Sequence, residues 1–463
     1  MAQPKTPKVL PRAEHTVSRR DIDPDALKVL YRLKTAGYTA YLVGGGVRDL
    51  LLGRKPKDFD ISTSAHPQQV KKLFRNCFII GRRFRLCHVR FGPKVIEVAT
   101  FRAQAEPEAG DTLIRRDNTF GTPEEDAFRR DFTVNALFYD IATFSVIDYV
   151  DGLDDLKEKV IRAIGDPGVR FREDPVRMLR AVALAARLGF QIDRDTAEAM
   201  HELRGEILKS APPRMMEEFY KILRQGAAFR TFEILHESGL LAYLFPEADA
   251  DIASGASRLL ESLARLDGYR NAGARPDQLT NSLLAGTLLV PLGLERRRPA
   301  PQQRRPRADA EAPAEEGRAE PVDDIAAEMK ALGVEPAASE PQPSDLLPLS
   351  LPFARRDLDR IRLVLAAQRR LREPDSAPRA KRALATRPYF EDAVRWMEIH
   401  GGVEGEELAA HWRSLDIGDI PAPETSTGTG TDEAPPPRPA GGAGRRRRRR
   451  RRPRPGAKPP SSS

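Results

Sequence analysis

The chain has 463 residues, 40% of them hydrophobic, with 76 Lys and Arg against 67 Asp and Glu and a formal net charge of +9. That length suits two or three domains, and the longest nearly apolar run, Leu283 to Leu294, is shorter than the ~20 residues a helix needs to cross a bilayer. Two cysteines, Cys77 and Cys87, exclude a disulfide framework or a four-cysteine zinc site, and the opening MAQPKTPKVLPRAEH holds no apolar core of a secretory signal, so a cytoplasmic protein without a membrane span is expected.

Residues 1–20 are polar and read as a disordered lead-in. Between residues 21 and 165, short β-rich stretches alternate with turns and helical patterns. YLVGG (41–45), FDIST (59–63), CFIIG (77–81), CHVRF (87–91) and VIEVATF (95–101) predict strands, and Pro67–Arg75 predicts a helix. From 166 to 296 the periodicity is helical: Val176, Leu179, Val182, Ala183 and Ala186 share a stripe, and Arg214–Gln225, Ala228–Ser238 and Ala256–Leu266 continue the pattern. Residues 297–345, rich in Pro, Ala, Glu and Arg, predict a linker or insertion with one short helix at Ile325–Leu332. Helical pattern returns in 346–420, at Leu346–Leu371 and Arg387–Ile399. The expected class is α+β: a small mixed α/β domain, an all-α remainder, and a disordered basic C-terminus over 421–463.

The charge is unevenly placed. Between Arg438 and Ser463 stand ten Arg, one Lys and no acid, so the +9 combines +11 in the tail with −2 elsewhere. Eight adjacent arginines, Arg445–Arg452, repel one another and build no core. A polyanion would neutralise them, and nucleic acid is the expected partner, without base specificity.

The chemistry concentrates in YLVGGGVRDLLLGRKPKDFDIS, residues 41–62. A strand enters Gly44-Gly45-Gly46 and then a helical pattern carrying Arg48, an arrangement that brings backbone N–H groups close to an anion. In Asp58-Phe59-Asp60, strand alternation sends both carboxylates to one face and Phe59 to the other. Two such carboxylates repel unless a cation lies between them, and hard oxygens suit Mg²⁺. A glycine turn for phosphate beside a two-Asp magnesium site outlines nucleotidyl transfer. A third carboxylate comes from Glu97, in an otherwise apolar strand, or from Asp131 in RRDFTVNAL, which is alternatively an organiser or a helix cap ahead of Val134–Leu137.

Two further groups carry two readings each. In Glu173-Asp174-Pro175-Val176-Arg177-Met178-Leu179-Arg180, the arginines face a triphosphate or base edge, or else are solvated on a capped amphipathic helix. Arg82-Arg83-Phe84-Arg85-Leu86 suits contact with single-stranded RNA, or is an ordinary charged hairpin. His88 reads as a hydrogen-bonded core histidine, and Cys77 and Cys87 as small buried hydrophobes.

Taken together, LVGGGVRDLLLGRKPKDFDIS, RRDFTVNAL and EDPVRMLRA, in that order and spacing, resemble the signature blocks of the class II nucleotidyltransferase family, which contains bacterial poly(A) polymerases and CCA-adding enzymes. The resemblance runs from about Val17 to Pro246. It implies that Asp58 and Asp60 hold the catalytic metals, that Asp131 is functional, and that Gly45, Gly46 and Arg48, with Arg130, contact the triphosphate. It implies that Asp174 and Arg177 read the base with Arg180 nearby, and that residues 21–165 are a nucleotidyltransferase head.

FIIGRRFRLCHVRFGPKVIEVATFR and the arginine-rich tail are similar to the polyadenylating branch, and no HD-type phosphohydrolase signature is visible. The expected activity is template-independent addition of AMP from ATP to RNA 3′ ends. A CCA-adding enzyme and a non-catalytic RNA-binding protein are the alternatives. Mg²⁺ is the expected cofactor. RNA 3′ ends and ATP are the expected partners, RNA-decay or RNA-chaperone proteins are candidate partners, and a monomer is expected.

Overall fold

The structure is a computed structural model that describes residues 6–81, 85–103, 119–297 and 351–415. Its first domain is built on eight strands: β1 (Lys8–Leu10), β2 (Ala40–Val43), β3 (Asp60–Thr63), β4 (Cys77–Ile80), β5 (Leu86–Phe91), β6 (Lys94–Thr100), β7 (Leu137–Asp140) and β8 (Ser145–Asp148). They are ordered β1-β8-β7-β2-β3-β6-β5-β4. The β3–β6 pair is parallel and every other neighbour in this sheet is antiparallel. Helices α1 (Pro24–Thr35), α2 (Gly45–Leu51), α3 (Pro67–Leu73), α4 (Pro123–Phe128) and α5 (Gly152–Glu158) connect them.

Strand alternation sorts the side chains into two faces. Leu42, Ile61, Val89, Ile96 and Val98 point into the main core, where α1 and α3 cover the sheet. Val43 and Phe138 point the other way and pack with Phe101, Ala127 of α4 and Ile147. Asp23 caps α1 by accepting from the Asp25 and Ala26 amides, and Lys94 of β6 ties Asp23 and Asp25 to the sheet.

The helical part opens with α6 (Pro167–Glu173), α7 (Val176–Leu188), α8 (Arg194–Leu203), α9 (Pro212–Leu223), α10 (Ala228–Glu237), α11 (Leu240–Leu244), α12 (Pro246–Ala253), α13 (Arg258–Asn271) and α14 (Asn281–Leu289). It continues with α15 (Arg355–Leu371), α16 (Pro378–Ala385), α17 (Phe390–His400) and α18 (Gly402–Ser414). α7 is central, with Val176, Leu179 and Val182 buried against α9 and α10. A short parallel pair, β9 (Val160–Ile161) and β10 (Gln191–Ile192), joins the end of the sheet domain to the chain after α7. Arg162 strengthens that joint by bridging Asp155 and Asp193.

The apolar run at Leu283 belongs to α14, which is buried on every side from Ser282 to Leu289. It packs against α15 beside a second core holding Ile361, Val364, Trp396 and Trp412. Among the described residues no helix is long and apolar enough to cross a membrane.

Several expectations need correction. Residues 6–20 are not a featureless lead-in: β1 pairs with β8, Lys8 opposite Asp148, and Val17 is buried. A three-residue strand carries no periodicity of its own, and its partner lies far along the chain. Val134–Leu137 is not a helix: Thr133–Asn135 forms a single 3₁₀ turn and the chain then enters β7. α16 and α18 were not anticipated. Arg82–Phe84, the linker beyond Arg297 with Ile325–Leu332, and residues 416–463 with the arginine tail lie outside the described residues.

Close approach makes glycine obligatory at Gly152. A Cβ on Gly152, at the start of α5, would stand 2.3 Å from the Thr133 carbonyl oxygen. Gly152→Ala should therefore destabilise the protein by about 3 kcal/mol, the upper range of overpacking. Gly268→Ala, inside α13 with open space around it, should stabilise by about 0.5–1 kcal/mol. Chemical denaturation of both variants checks the contrast.

Candidate active site

β2 ends at Val43, and Gly44, with φ of 74°, turns the chain into α2. A positive φ there is open to glycine and strained for other residues. A Cβ on Gly44 would also meet the Arg130 guanidinium at 3.1 Å. The first turn of α2 holds Gly45 and Gly46, whose amide N–H groups lack helical partners by geometry. Arg48, only 3% exposed, is held by Asp49 at 2.7 Å and by the Asn135 side-chain oxygen.

Asp60 opens β3 opposite Val43. Asp58 lies before the strand, which corrects the expectation that both project from one strand face. β2 has already turned at Gly44, so no ladder partner remains for Asp58. Phe59 packs partly against the core, and Gly46 lies against the Asp58 carbonyl. The β3–β6 register sets Glu97 beside Asp60 on the same sheet face. Glu97 faces His88 of β5, 3.5 Å away. His88 is thus on the open face and not in the core, whereas Cys77 and Cys87 are buried on the other.

The opposite wall is basic and tightly organised. Buried Asp126 of α4 pairs with Arg129 and Arg130, each at 2.9 Å. Burial alone would push its carboxyl up, but Arg130 and Arg129 hold it below the usual carboxylate value. Arg130 also donates to Ser62 and lies over the Phe138 ring. Asp131 accepts from the Phe132 amide and the Asn135 side chain, and its other oxygen stands 2.6 Å from Arg180 of α7. Against the cost of burial, Arg180 and those hydrogen bonds keep Asp131 ionised to below the ordinary range.

Arg170 of α6 donates to the carbonyls of Arg129 and Arg130 at 2.6 Å each and pairs with Glu173. Asp174 receives both arms of Arg214 from α9, at 2.7 and 2.6 Å. Arg177 donates to the Arg170 carbonyl and to Glu173, and its Nε stands 4.0 Å from the Asp174 carboxylate.

One cleft of about 620 Å³ runs between these walls. It brings together Gly45, Arg48, Asp60, Arg130, Asp131, Asp174, Arg177 and Arg180. Gly46, Asp58 and Glu97 flank it without lining it. Nine Arg and Lys side chains face five carboxylates along its walls, so the cleft favours an anion.

Sequence reasoning missed Arg170, Asp126, Arg187, Lys221 and Arg214. Only Arg214, just after Pro212-Pro213 at a helix start, carried a local signal. The others are identified by what they touch.

The fold is the one seen in nucleotidyltransferases, with an acidic pair at the sheet edge beside a glycine turn and a basic helical wall opposite. The family description "Poly A polymerase head domain" matches residues 40–162, and "Probable RNA and SrmB- binding site of polymerase A" matches 189–252. The chain is 55% identical over 247 residues to poly(A) polymerase I of Escherichia coli O6:H1, covering 51% of this chain and 53% of that protein. It is 42% identical over 223 residues to the CCA-adding enzyme of Lactobacillus helveticus, covering 48% and 55%. Among solved structures, the Bacillus stearothermophilus CCA-adding enzyme in complex with CTP aligns with a TM-score of 0.54 and 26% identity, over 85% of this chain and 84% of that one. Over about half of its length the chain is similar to bacterial poly(A) polymerase I. It spans about half the length of the curated relatives it matches.

The acidic side fits a divalent cation. Asp60 is pushed up to about 6 by its crowded surroundings and then by Glu97 and Asp58, against the pull of Arg130. Among the described residues no three His, Cys, Asp or Glu side chains enclose an ion by themselves. Such a site suits a small hard cation that keeps several non-protein oxygens.

Because the folded value lies above the unfolded one, ionised Asp60 costs stability as pH rises from about 4 through 6. In metal-free protein, Asp60→Asn should raise the melting temperature at pH 7.5 and leave it unchanged at pH 4. Added Mg²⁺ should raise the melting temperature of the wild type at pH 7.5 and barely move the variant. Differential scanning fluorimetry reads both.

Proposed function

We propose that the chain is a template-independent polynucleotide adenylyltransferase that adds AMP from ATP to RNA 3′ ends, acting as a cytoplasmic monomer. The observation that carries this reading is the single cleft joining Gly45 and Asp60 to Asp174 and Arg177. One wall suits a triphosphate and the reacting centre, and the other suits a nucleobase. The head (21–165), helical neck and body (166–296), linker (297–345) and helical C-terminal RNA-binding domain (346–420) are the working parts of this reading.

Asp58 and Asp60, with Glu97 beside them, would hold Mg²⁺. When bound, it supplies charge neutralisation at the α-phosphate and a lower pKa for the RNA 3′-hydroxyl. The amides of Gly45 and Gly46, with Arg130, hold the β and γ phosphates in line for displacement of pyrophosphate. Arg48, held by Asp49 and Asn135 and lining the cleft, stiffens the glycine turn and adds its charge to the triphosphate contact. Asp131 serves as organiser, fixing Arg180 at the cleft mouth. Asp174 and Arg177 present acceptor and donor to the base edge, and Arg214 sets the orientation of the Asp174 carboxylate. The region matching an RNA- and SrmB-binding description supports contact with RNA and with a partner protein.

The likeness to a CCA-adding enzyme in complex with CTP supports a second reading, addition of C and A to tRNA. Extension of labelled oligo(A) and of a truncated tRNA with each single nucleoside triphosphate separates the two. Long ladders on oligo(A) with ATP alone are expected, whereas two C and one A confined to tRNA would establish the second reading. Asp58→Ala and Asp60→Ala should each lower addition at least about 10³-fold with RNA binding retained. Removing residues 438–463 should weaken RNA binding and flatten its salt dependence, read as the slope of log affinity against log salt, while addition at saturating RNA survives.

A further inference from the structure

The sheet does not end at the acidic pair. Register places Phe78 of β4 opposite His88 of β5, His88 opposite Glu97 of β6, and Glu97 beside Asp60 of β3. These four form one row across the open face. The row next to it carries Ile80 opposite Leu86, and on the other side Arg90 pairs with Val95.

Phe78 is 53% exposed, Ile80 48% and Val95 36%. They are the outward-facing half of strands whose inward half, Cys77, Cys87, Val89, Ile96 and Val98, is fully packed. An exposed aromatic and aliphatic strip on a sheet face marks a binding surface. The Arg90 guanidinium lies 5.4 Å from the Phe78 ring centroid, so a cation is already stacked on the strip. Arg85, exposed, leads into β5.

We propose that the open face of β4–β6 is a platform on which the last nucleotides of the RNA primer lie, with Phe78 stacking a base upstream of the 3′ end. This rests on the nucleotide-addition reading of the cleft. That reading fixes one end of the RNA: its 3′-hydroxyl must reach Asp60. The face is continuous with that point along a single register row, and its aromatic, aliphatic and guanidinium groups suit bases and phosphates in turn.

Three inter-strand steps of about 4.8 Å separate Asp60 from Phe78, roughly 14 Å in all. Stacked bases rise about 3.4 Å each, so Phe78 meets a base about four nucleotides from the 3′ end at most, and fewer where the chain is less tightly stacked. Stacking is sequence-tolerant because every base has a π-face, which suits a primer that changes register at each addition.

The test uses the full chain, Mg²⁺, a non-hydrolysable ATP analogue and an oligo(A) primer of about six nucleotides, the scale of a single stacking groove. 4-Thiouridine at the second to fourth position from the 3′ end should crosslink to residues between Phe78 and Val95. With ATP, Phe78→Ala should raise the KM for the short primer about five- to twenty-fold, in line with loss of one base stack. It should leave the KM for ATP and kcat at saturating primer within twofold, and Phe78→Trp should restore the primer KM. Crosslinks elsewhere, or a primer KM unchanged in Phe78→Ala while the wild type extends the primer, would overturn the platform alone. A wild type that adds no AMP to any primer overturns the nucleotide-addition reading, and this one with it. A face covered by a second copy of the chain or by another protein segment shows as an absence of crosslinks in this region, and overturns it too.

Discussion

Asp131 and Arg180 meet across the seam between the sheet domain and the helical wall, 2.6 Å apart, and the shape of the cleft depends on that meeting. A carboxylate this buried is costly unless its charge is answered. Arg180 answers it from α7, while the Phe132 amide and Asn135 occupy the other oxygen. Buried ion pairs contribute little net stability relative to packed apolar groups. What this one contributes is position, since it sets α7 at a defined distance from the glycine turn.

The same arrangement repeats along the seam. Asp126 gathers Arg129 and Arg130, Arg170 grips the carbonyls behind them, and Arg214 clasps Asp174 with both arms. Each arginine is held by a named acceptor, so the positive wall stands ready without side chains collapsing on one another. The net excess of cations over carboxylates in the cleft then draws an anion to a surface that needs little reorganisation. On the far side, Asp58, Asp60 and Glu97 repel, and that repulsion prepares a place for a cation. One wall is satisfied and the other strained, which is the asymmetry that nucleotidyl transfer requires.

Much of this was legible in the residues because it is local. Strand alternation gave β2 to β6 within a residue or two, and the glycine run before Arg48 announced the turn at Gly44. The helical stripe through Val176, Leu179 and Val182 is the buried face of α7. What escaped depends on long-range pairing. β1 exists because β8 lies beside it, and the turn at Thr133–Asn135 is held by Gly152 packing against it. Asp58 continues the alternation of β3 in sequence, but it lies outside the strand because β2 turns away at Gly44. Arg170 and Asp126 have ordinary sequence surroundings, and their roles follow from carbonyls and guanidinia brought to them by the fold.

The most direct test is a double-mutant cycle on Asp131→Asn and Arg180→Gln, read as kcat/KM for ATP on an oligo(A) primer. If the pair fixes the cleft, each single variant should lose activity and the double variant should lose little more than either, giving a coupling energy of about 2 kcal/mol. Losses that simply add would contradict the account, because Asp131 and Arg180 would then act on nucleotide addition independently.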